Sequence, residues 1–218
     1  LVMFSLVLSF LLINSYQIVI PLKERISEIK HINYLNGGNR LIYWIALFIF
    51  DYIKFFSFSI VLYIIVSIRD IRIWYTFGVI VFFGVSSILM SYIFSFGFRE
   101  ERHSWIIYFL FNLGLSLGMI LIDFFDEAKA SSKPVISYFI FEYSISDISP
   151  FSALRKYFMK MWKIRLYMET KNKNVLYEFY FKKIAFVFLM QAGAFASILA
   201  LLELNILSGI WLKISKVL

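Results

Sequence analysis

Long apolar stretches alternate with short polar ones along this chain. An α-helix of about 20 apolar residues crosses the roughly 30 Å hydrocarbon layer of a bilayer. The pattern predicts five such membrane-spanning helices, over residues 1–20, 41–68, 73–98, 104–122 and 184–207. It therefore indicates an all-α, polytopic transmembrane domain.

A different spacing follows the first apolar stretch. Apolar side chains recur there every three or four residues, at Leu22, Ile26, Ile29, Ile32 and Leu35. This spacing places them on one face of a helix, with charged side chains on the other. Amphipathic helices of this kind lie at the membrane surface. We predict such a helix over residues 22–36, ended by the Asn and Gly residues that follow it.

Residues 134–154 are apolar but interrupted. The stretch contains Glu142, Asp147 and Pro150, whereas a membrane-spanning helix has few or no charges. Irregular backbone at membrane depth is tolerated where protein or a water-filled cavity covers it. The interruption favours a re-entrant hairpin over a further crossing.

Composition agrees with the pattern. The chain of 218 residues is 61% hydrophobic and 21% aromatic, its mean hydropathy is +0.79, and soluble domains are only about half apolar. We therefore predict an integral, multi-pass membrane protein, in which residues 1–218 form a single transmembrane domain. Because Leu1 lies within an apolar run that no basic segment precedes, we expect the sequence to be a fragment. The absence of cysteine excludes disulfides and thiolate metal sites.

Most of the net charge of +8 lies in residues 151–183. This segment contains nine lysines and arginines against Glu169 and Glu178, a local excess of +7. In a membrane protein, such a segment contacts anionic headgroups or faces water, and a nucleic-acid-binding fold has no room here. The positive charge favours the cytoplasmic side. The interrupted run at 134–154 favours the opposite side for this segment. If residues 22–40 are cytoplasmic, three spans place residues 123–133 outside, and a hairpin that does not cross leaves residues 155–183 outside as well.

Candidate chemistry is sparse. The sequence has no G-x-x-x-x-G-K-[ST] phosphate loop, and its histidines are His31 and His103, both in surface segments. We expect neither a catalytic site nor a metal site in this chain. Within a span, Asp51 and Lys54 are three residues apart on one helix face. Because ionisable groups in lipid are costly, they form either a structural ion pair or part of an ion pathway.

Residues 23–51 carry the most specific pattern. They read KERISEIKHINYLNGGNRLIYWIALFIFD. The stretch resembles the second transmembrane half of subfamily A ATP-binding-cassette transporters, the lipid-exporting branch. The matching residues are Glu24, Arg25, Lys30, His31, Ile32, Gly37, Tyr43, Trp44 and Asp51. The rest of the chain resembles the family more loosely. The family has two further spans, a hairpin and a last helix before the nucleotide-binding domain, and the predicted elements of this chain follow the same order.

The resemblance implies a fold like that of type II exporters, with residues 22–36 as a cytosolic coupling helix. It assigns contact with a nucleotide-binding domain to Glu24, Arg25, Glu28, Lys30 and His31. That domain, with its ATP and Mg²⁺, would follow Leu218, so no cofactor is expected in this chain. The implied partners are the other transmembrane half of the same transporter, a lipid substrate and the membrane lipids, and not a nucleic acid.

Two other functions stay open from the residues. The first is an ion channel or secondary carrier that uses Asp51 and Lys54. The second is a membrane-embedded lipid enzyme, for which His103 beside Glu101 is the nearest candidate pair. The residues do not indicate the transported substrate, the direction of transport or the membrane.

Overall fold

The computed structural model describes residues 2–67, 73–129, 149–167 and 173–203. Within these ranges the chain is helical and has no strand, which confirms the predicted all-α fold class. The helices there are α1 (Val2–Tyr16), α2 (Val19–Ile26), α3 (Ile29–Leu35), α4 (Arg40–Ser67), α5 (Ile73–Ser95), α6 (Glu101–Lys129), α7 (Pro150–Tyr167) and α8 (Lys173–Glu203). Most of the predicted hairpin, residues 134–148, and the end of the last predicted span, residues 204–207, lie outside the described residues.

Three of these helices are long and apolar enough to cross a membrane, judged by length and composition within the described ranges. They contain Arg40–Ile64 in α4, Tyr75–Ser95 in α5 and Glu178–Glu203 in α8. Each of these overlaps a predicted span. The predicted spans at 1–20 and 104–122 stay predictions: α1 already ends at Tyr16, and α6 contains residues 104–122 within a longer helix that begins at an acidic residue.

Helix α5 forms the centre of the bundle. It packs most extensively against α8 and next against α4. The ring of Phe83, midway along α5, has its centroid 5.3 to 6.0 Å from those of buried rings on four other helices: Phe10, Phe55, Phe151 and Phe188. Tilted and edge-on aromatic pairs at such distances are favourable beyond the area that they bury. Five helices therefore meet at one aromatic core.

Two glycines allow the neighbours of α5 to approach it closely. A Cβ atom at Gly78 would lie 2.6 Å from the ring of Phe181 in α8. A Cβ atom at Gly84 would overlap the ring of Phe55 in α4, which is itself fully buried. Small residues permit such close contact between membrane helices. The central position of α5 thus depends on the lack of a side chain at these two glycines as well as on the packing of its aromatic side chains.

Several polar side chains inside the bundle find hydrogen-bond partners there. Ser86, Ser91 and Ser95 of α5 each donate to the backbone carbonyl three residues earlier. Ser87 donates to Oδ1 of Asn14 in α1 at 3.1 Å, and Asn14 Nδ2 donates to a carbonyl of its own helix. Because an unsatisfied polar group in a membrane interior is costly, these bonds make the serine-rich sequence of α5 compatible with burial.

The outer surface of the bundle is apolar. Along α4 the exposed large side chains repeat on one face, at Leu41, Ile42, Ile45, Ile49, Phe50, Ile53, Ile60, Val61 and Ile64. Helices α6 and α8 expose further apolar side chains, among them Leu110 and Leu189. Soluble monomers rarely expose apolar surface of this extent. These faces are suited to contact with lipid, in agreement with the predicted membrane location.

The surface segment predicted as one helix over residues 22–36 is divided between α2 and α3. Glu28, between them, has a φ of 59°, which is uncommon for residues other than glycine. The hydroxyl of Ser27 bonds to the carbonyl of Lys23 at 2.8 Å at the end of α2. The resulting bend buries Lys30 against the bundle. Apolar periodicity alone predicts no such bend.

The apolar face predicted for this segment is divided as well. Leu22 is fully buried in the bundle, whereas Ile26, Ile29 and Ile32 are about half exposed and Leu35 is mostly exposed. These exposed apolar side chains can contact the membrane surface, as those of an interfacial helix do. The apolar face of this segment is therefore fixed to the bundle at Leu22 and exposed along the rest.

Helices α5 and α8 run in the same direction. Phe181 of α8 lies beside Gly78 of α5, and farther along both helices Phe188 lies beside Phe83. Both helices therefore end on the same side of the bundle, where α2 and α3 also lie. We call this side the Lys30 end.

Helix α7 lies in the opposite half of the bundle. Its first turn places Phe151 against Phe83, at mid-depth of α5. Nine residues later, Nζ of Lys160 lies 5.5 Å from the ring centroid of Tyr180, near the start of α8. Within the described part of the chain, the basic residues of 151–183 are thus opposite the Lys30 end. The side of a membrane that this segment faces stays a prediction.

Candidate functional site

Some of the residues that carry the family resemblance meet at the Lys30 end. Lys30 of α3 lies among the rings of Tyr34, Tyr43 and Trp44 and beside the carboxylate of Glu203, the last residue of α8. We call these five residues the Lys30 cluster. It joins the consecutive helices α3 and α4 to α8, which is far from them in the sequence.

Lys30 is the centre of this cluster. Its Nζ donates to Oε2 of Glu203 at 2.6 Å, and both side chains are only 11% exposed. The same ammonium lies 4.4 Å from the ring centroid of Trp44, within the distance of a cation–π interaction. Burial lowers the pKa of Lys30, and the carboxylate of Glu203 opposes that shift in part. The charge is therefore held by one carboxylate and several ring faces.

Glu203 accepts from two other groups besides Lys30. Its Oε1 accepts from the hydroxyl of Tyr34 at 2.9 Å, and its backbone carbonyl accepts from Nη1 of Arg40 at 3.3 Å. A cation at the C-terminal end of a helix is favourable, because the last carbonyls lack partners within the helix. Burial and the bond to Glu203 raise the pKa of Tyr34, so its hydroxyl remains a donor. The end of α8 is thus bound to α3 and to the start of α4.

Helix α2 is joined to the same end of the bundle. Oε2 of Glu24 accepts from the hydroxyl of Tyr43 in α4 at 2.5 Å. Arg25 donates to the backbone carbonyl of Phe98, and its guanidinium carbon lies 5.6 Å from the ring centroid of Phe96. Both aromatic residues belong to the turn after α5. Burial lowers the pKa of Arg25.

The structure places the five predicted coupling residues in two groups. Glu24, Arg25 and Lys30 bond to α4, to the turn after α5 and to α8. Glu28 and His31 are exposed on the outside of α2 and α3. A docking role is therefore sterically open to the second group, whereas the first group contacts the rest of the bundle.

Asp51 and Lys54 are brought together as a second polar site, within α4. Asp51 is fully buried, and its Oδ2 accepts from the hydroxyl of Tyr92 in α5 at 2.7 Å. Its Oδ1 accepts from Nζ of Lys54 at 3.1 Å. The Lys54 ammonium also lies 3.8 Å from the ring centroid of Phe50. We call Asp51, Lys54 and Tyr92 the Asp51 cluster.

Sequence reasoning missed Tyr34, Tyr92 and the role of Glu203, whereas Tyr43 was among the residues that carry the resemblance. Tyr34 and Tyr92 belong to no recognisable motif. The one available signal for Glu203 was its position at the end of residues 184–203, a run that contains no other charge, because a carboxylate at the C-terminal end of a helix opposes the helix dipole. Such a residue needs a cationic partner, which the structure identifies as Lys30.

The histidine of the pair suggested for an enzyme is exposed. Nδ1 of His103 lies 4.0 Å from Glu100, the residue before the predicted partner Glu101, and both side chains are mostly exposed. In the described part of the chain, no group of three His, Asp or Glu side chains is placed to hold a metal ion. The enzyme alternative stays a prediction without a built site to support it.

The arrangement fits a class of membrane protein. A bundle with an apolar exterior, three helices able to cross a membrane and a fixed polar cluster at one end fits the membrane domain of a transporter.

Comparison with known proteins agrees with this class. The chain is 30% identical over 141 residues to ABC transporter A family member 4 of Dictyostelium discoideum, a match that covers 61% of the chain and 9% of that protein. It is also 30% identical over 119 residues to ABC transporter A family member 5 of the same organism, covering 51% of the chain and 7% of that protein. The chain thus spans less than a tenth of the length of these relatives. No protein-family model matches it.

Proposed function

We propose that this chain is the transmembrane domain of an ATP-driven lipid transporter of the ABC subfamily A type. ATP and Mg²⁺ bind to a nucleotide-binding domain outside the chain, and the other transmembrane half completes the lipid path. The proposal is supported by the order of residues in 23–51, by the similarity to two A family transporters and by the apolar exterior.

The observation that carries this proposal is the bond between Lys30 and Glu203. It joins the surface segment to the end of α8, across 173 residues of sequence. In the family that the chain resembles, the last helix leads into the nucleotide-binding domain. A movement of such a domain is passed to α8 directly and, through Lys30, to α3. Because Trp44 and Arg40 contact the same cluster, α4 moves with them.

The exposed charges of the surface segment are the proposed contact with the nucleotide-binding domain. Lys23, Glu28 and His31 are exposed, whereas Glu24, Arg25 and Lys30 are held by the bundle. The exposed residues contact the nucleotide-binding domain, and the residues held by the bundle pass its movement to the other helices. Lipid is the proposed substrate because α4, α6 and α8 present continuous apolar faces along which acyl chains can lie.

The test reverses the outer charges. In the complete transporter, the double variant Lys23→Glu/Glu28→Lys should lower the ratio of ATP hydrolysis in phospholipid vesicles to that in detergent by about fivefold, the effect of lost exposed ion pairs. High salt should reproduce part of this loss in the unaltered protein, because exposed charges are screened.

A matched control lies at the opposite end of the bundle. Glu178 and Lys182 form an exposed pair at 2.7 Å, and the reversal Glu178→Lys/Lys182→Glu should leave the ratio unchanged. If both double variants behave like the unaltered protein, α2 and α3 do not dock a nucleotide-binding domain and the proposed coupling is wrong.

A further inference from the structure

One cation interrupts the apolar outer face of α4. Residues 41–67 contain two charged side chains, Asp51 and Lys54. Asp51 is fully buried, whereas the side chain of Lys54 is 45% exposed. Phe50 and Val61, four residues before Lys54 and seven after it, expose apolar side chains on the same face of the helix. A lysine therefore stands on a surface that is otherwise suited to acyl chains.

The depth of Lys54 makes this position costly. The candidate span in α4 is Arg40–Ile64, and at 1.5 Å per residue Lys54 lies about 15 Å from the nearer end of that span. The hydrocarbon layer is roughly 30 Å thick, so Lys54 is near its middle. Lysines close to the end of a span extend to the membrane surface, and Lys54 is too deep for this. Charged side chains at mid-depth mark substrate or ion pathways instead.

The contacts of Lys54 hold its ammonium in place without enclosing the side chain. Nζ donates to Oδ1 of Asp51 at 3.1 Å and lies 3.8 Å from the ring centroid of Phe50. Both partners precede Lys54 on α4, on the side of the Lys30 end. An ammonium group has three N–H donors, and the one bond to Asp51 leaves the others able to reach an acceptor on the outer face.

A phosphate group fits this position better than a neutral headgroup does. Lysine is a common ligand of phosphate, and hydrogen bonds between ionised partners are about twice as strong as neutral ones. The exposed side chains of Phe50, Ile53 and Val61 surround the lysine with apolar surface, along which the acyl chains of the same lipid can lie. The hydroxyl of a sugar or sterol headgroup gains less from the ammonium, because it carries no charge.

We propose that Lys54 binds the phosphate group of the transported lipid halfway across the membrane, and so selects lipids whose headgroup contains a phosphate. This inference rests on the proposed transport function, because a headgroup reaches mid-depth only while it crosses. Lys54 is in this role a specificity-determining residue, and Asp51 positions its ammonium.

The test measures ATP-dependent movement of fluorescent lipids by the complete transporter in liposomes. Phosphatidylglycerol is the probe with a phosphate, and glucosylceramide with the same label is the probe without one. Asp51→Asn is compared with Asp51→Asn/Lys54→Leu, because neither contains the buried carboxylate and they differ only in the ammonium. The second variant should have a ratio of phosphatidylglycerol to glucosylceramide movement about tenfold lower, the effect of one lost hydrogen bond between charged groups. Lys54→Arg should keep most of the ratio of the unaltered protein, since it keeps the cation.

Lys182 provides the matched control. It is an exposed lysine of α8 that is paired with Glu178 at 2.7 Å, and Lys182→Leu should leave the ratio unchanged. An equal fall of the ratio in Lys182→Leu would overturn the inference, since it would show a diffuse effect of charge. Equal loss of both lipids in Asp51→Asn/Lys54→Leu would overturn it as well, in favour of a contact with the other transmembrane half, as would an unchanged ratio.

The same assay distinguishes this inference from the function on which it rests. Movement of both lipids by the unaltered protein, with no dependence of the ratio on Lys54, refutes the role of Lys54 alone. If the unaltered protein moves neither lipid when ATP is added, the proposed transport function is wrong and the role of Lys54 is wrong with it.

Discussion

Two carboxylates in this protein have the same kinds of partner but join different parts of the fold. Asp51 accepts from the hydroxyl of Tyr92 and the ammonium of Lys54. Glu203 accepts from the hydroxyl of Tyr34 and the ammonium of Lys30. In the Asp51 cluster, the lysine is three residues away on the same helix. In the Lys30 cluster, the lysine is 173 residues away on another helix.

Their surroundings also differ. Asp51 is fully buried, whereas the side chain of Lys54 is 45% exposed on the outer face of α4. Lys30 and Glu203 are equally enclosed, at 11% each. The Asp51 cluster neutralises a charge inside a span and adds one bond to α5. The Lys30 cluster connects the surface segment to the last helix. A carboxylate with a tyrosine and a lysine therefore stabilises a buried charge in the Asp51 cluster, and joins distant helices in the Lys30 cluster.

The largest expected effect is at the Asp51 cluster. Lys54→Leu leaves the buried Asp51 carboxylate with Tyr92 as its one remaining partner among the described residues, and an uncompensated buried charge costs about 3 kcal/mol or more. We expect a marked fall in the free energy of unfolding, measured by denaturant titration in detergent micelles.

The double variant Asp51→Asn/Lys54→Leu sharpens this result. It removes the charge as well as its partner, so most of the stability should return, and asparagine can still accept from Tyr92. If the double variant is less stable than Lys54→Leu, the Asp51 carboxylate is not destabilised by the loss of Lys54, and the structural assignment of this pair is wrong. Normal stability with lost transport in Asp51→Asn would favour the carrier alternative.

The second prediction concerns the Lys30 cluster. Glu203→Gln keeps an acceptor for Tyr34 but removes the charge that holds Lys30, which we expect to cost about 2 kcal/mol for a partly buried pair. The loss should appear locally, as faster hydrogen exchange of the backbone amides of α3, while those of α5 remain protected.

Glu178→Gln is the control for that measurement. It also removes a carboxylate from a lysine pair on α8, but the pair is exposed and lies within one helix, where ion pairs contribute little. Exchange in α3 should not change. Equal effects of the two variants would mean that Glu203 has no special connection to the surface segment.

The smallest expected effect is at Trp44, whose ring faces the ammonium group of Lys30. Trp44→Leu removes the cation–π contact at 4.4 Å, and the unfolding free energy should fall by about 1 kcal/mol. Trp44→Phe keeps a ring face and should cost less; within the described part of the chain, the indole N–H of Trp44 has no hydrogen-bond partner to lose. Thermal unfolding of both variants distinguishes a cation–π contribution from simple loss of packing volume.

Much of the architecture was predictable because it depends on short segments. The length and apolarity of α4, α5 and α8 are properties of single runs of residues, and they suffice to predict helices that can span a membrane. The contact between Asp51 and Lys54 was also predictable, since residues three apart on a helix are neighbours whatever surrounds them. The turn after Leu35 follows from its glycines, of which Gly37 has a φ of 87°.

The inward direction of the motif residues was not predictable in the same way. The family resemblance assigned Glu24, Arg25 and Lys30 to contact with a nucleotide-binding domain. In the structure they bond to the bundle, because the bend at Glu28 turns α3 and because α4 supplies Tyr43 as a donor. The charge of a side chain indicates that it needs a partner, and does not indicate where that partner lies.

The two ends of the bundle show this limit most clearly. The excess of lysine in residues 151–183 is visible in the sequence, but the placement of Lys156, Lys160 and Lys183 around one small cavity requires α7 to lie against the start of α8. Similarly, Lys30 meets Glu203 only because α5 and α8 run in the same direction and end together. Residue spacing acts over a few turns of one helix, whereas these contacts depend on how five helices pack around Phe83.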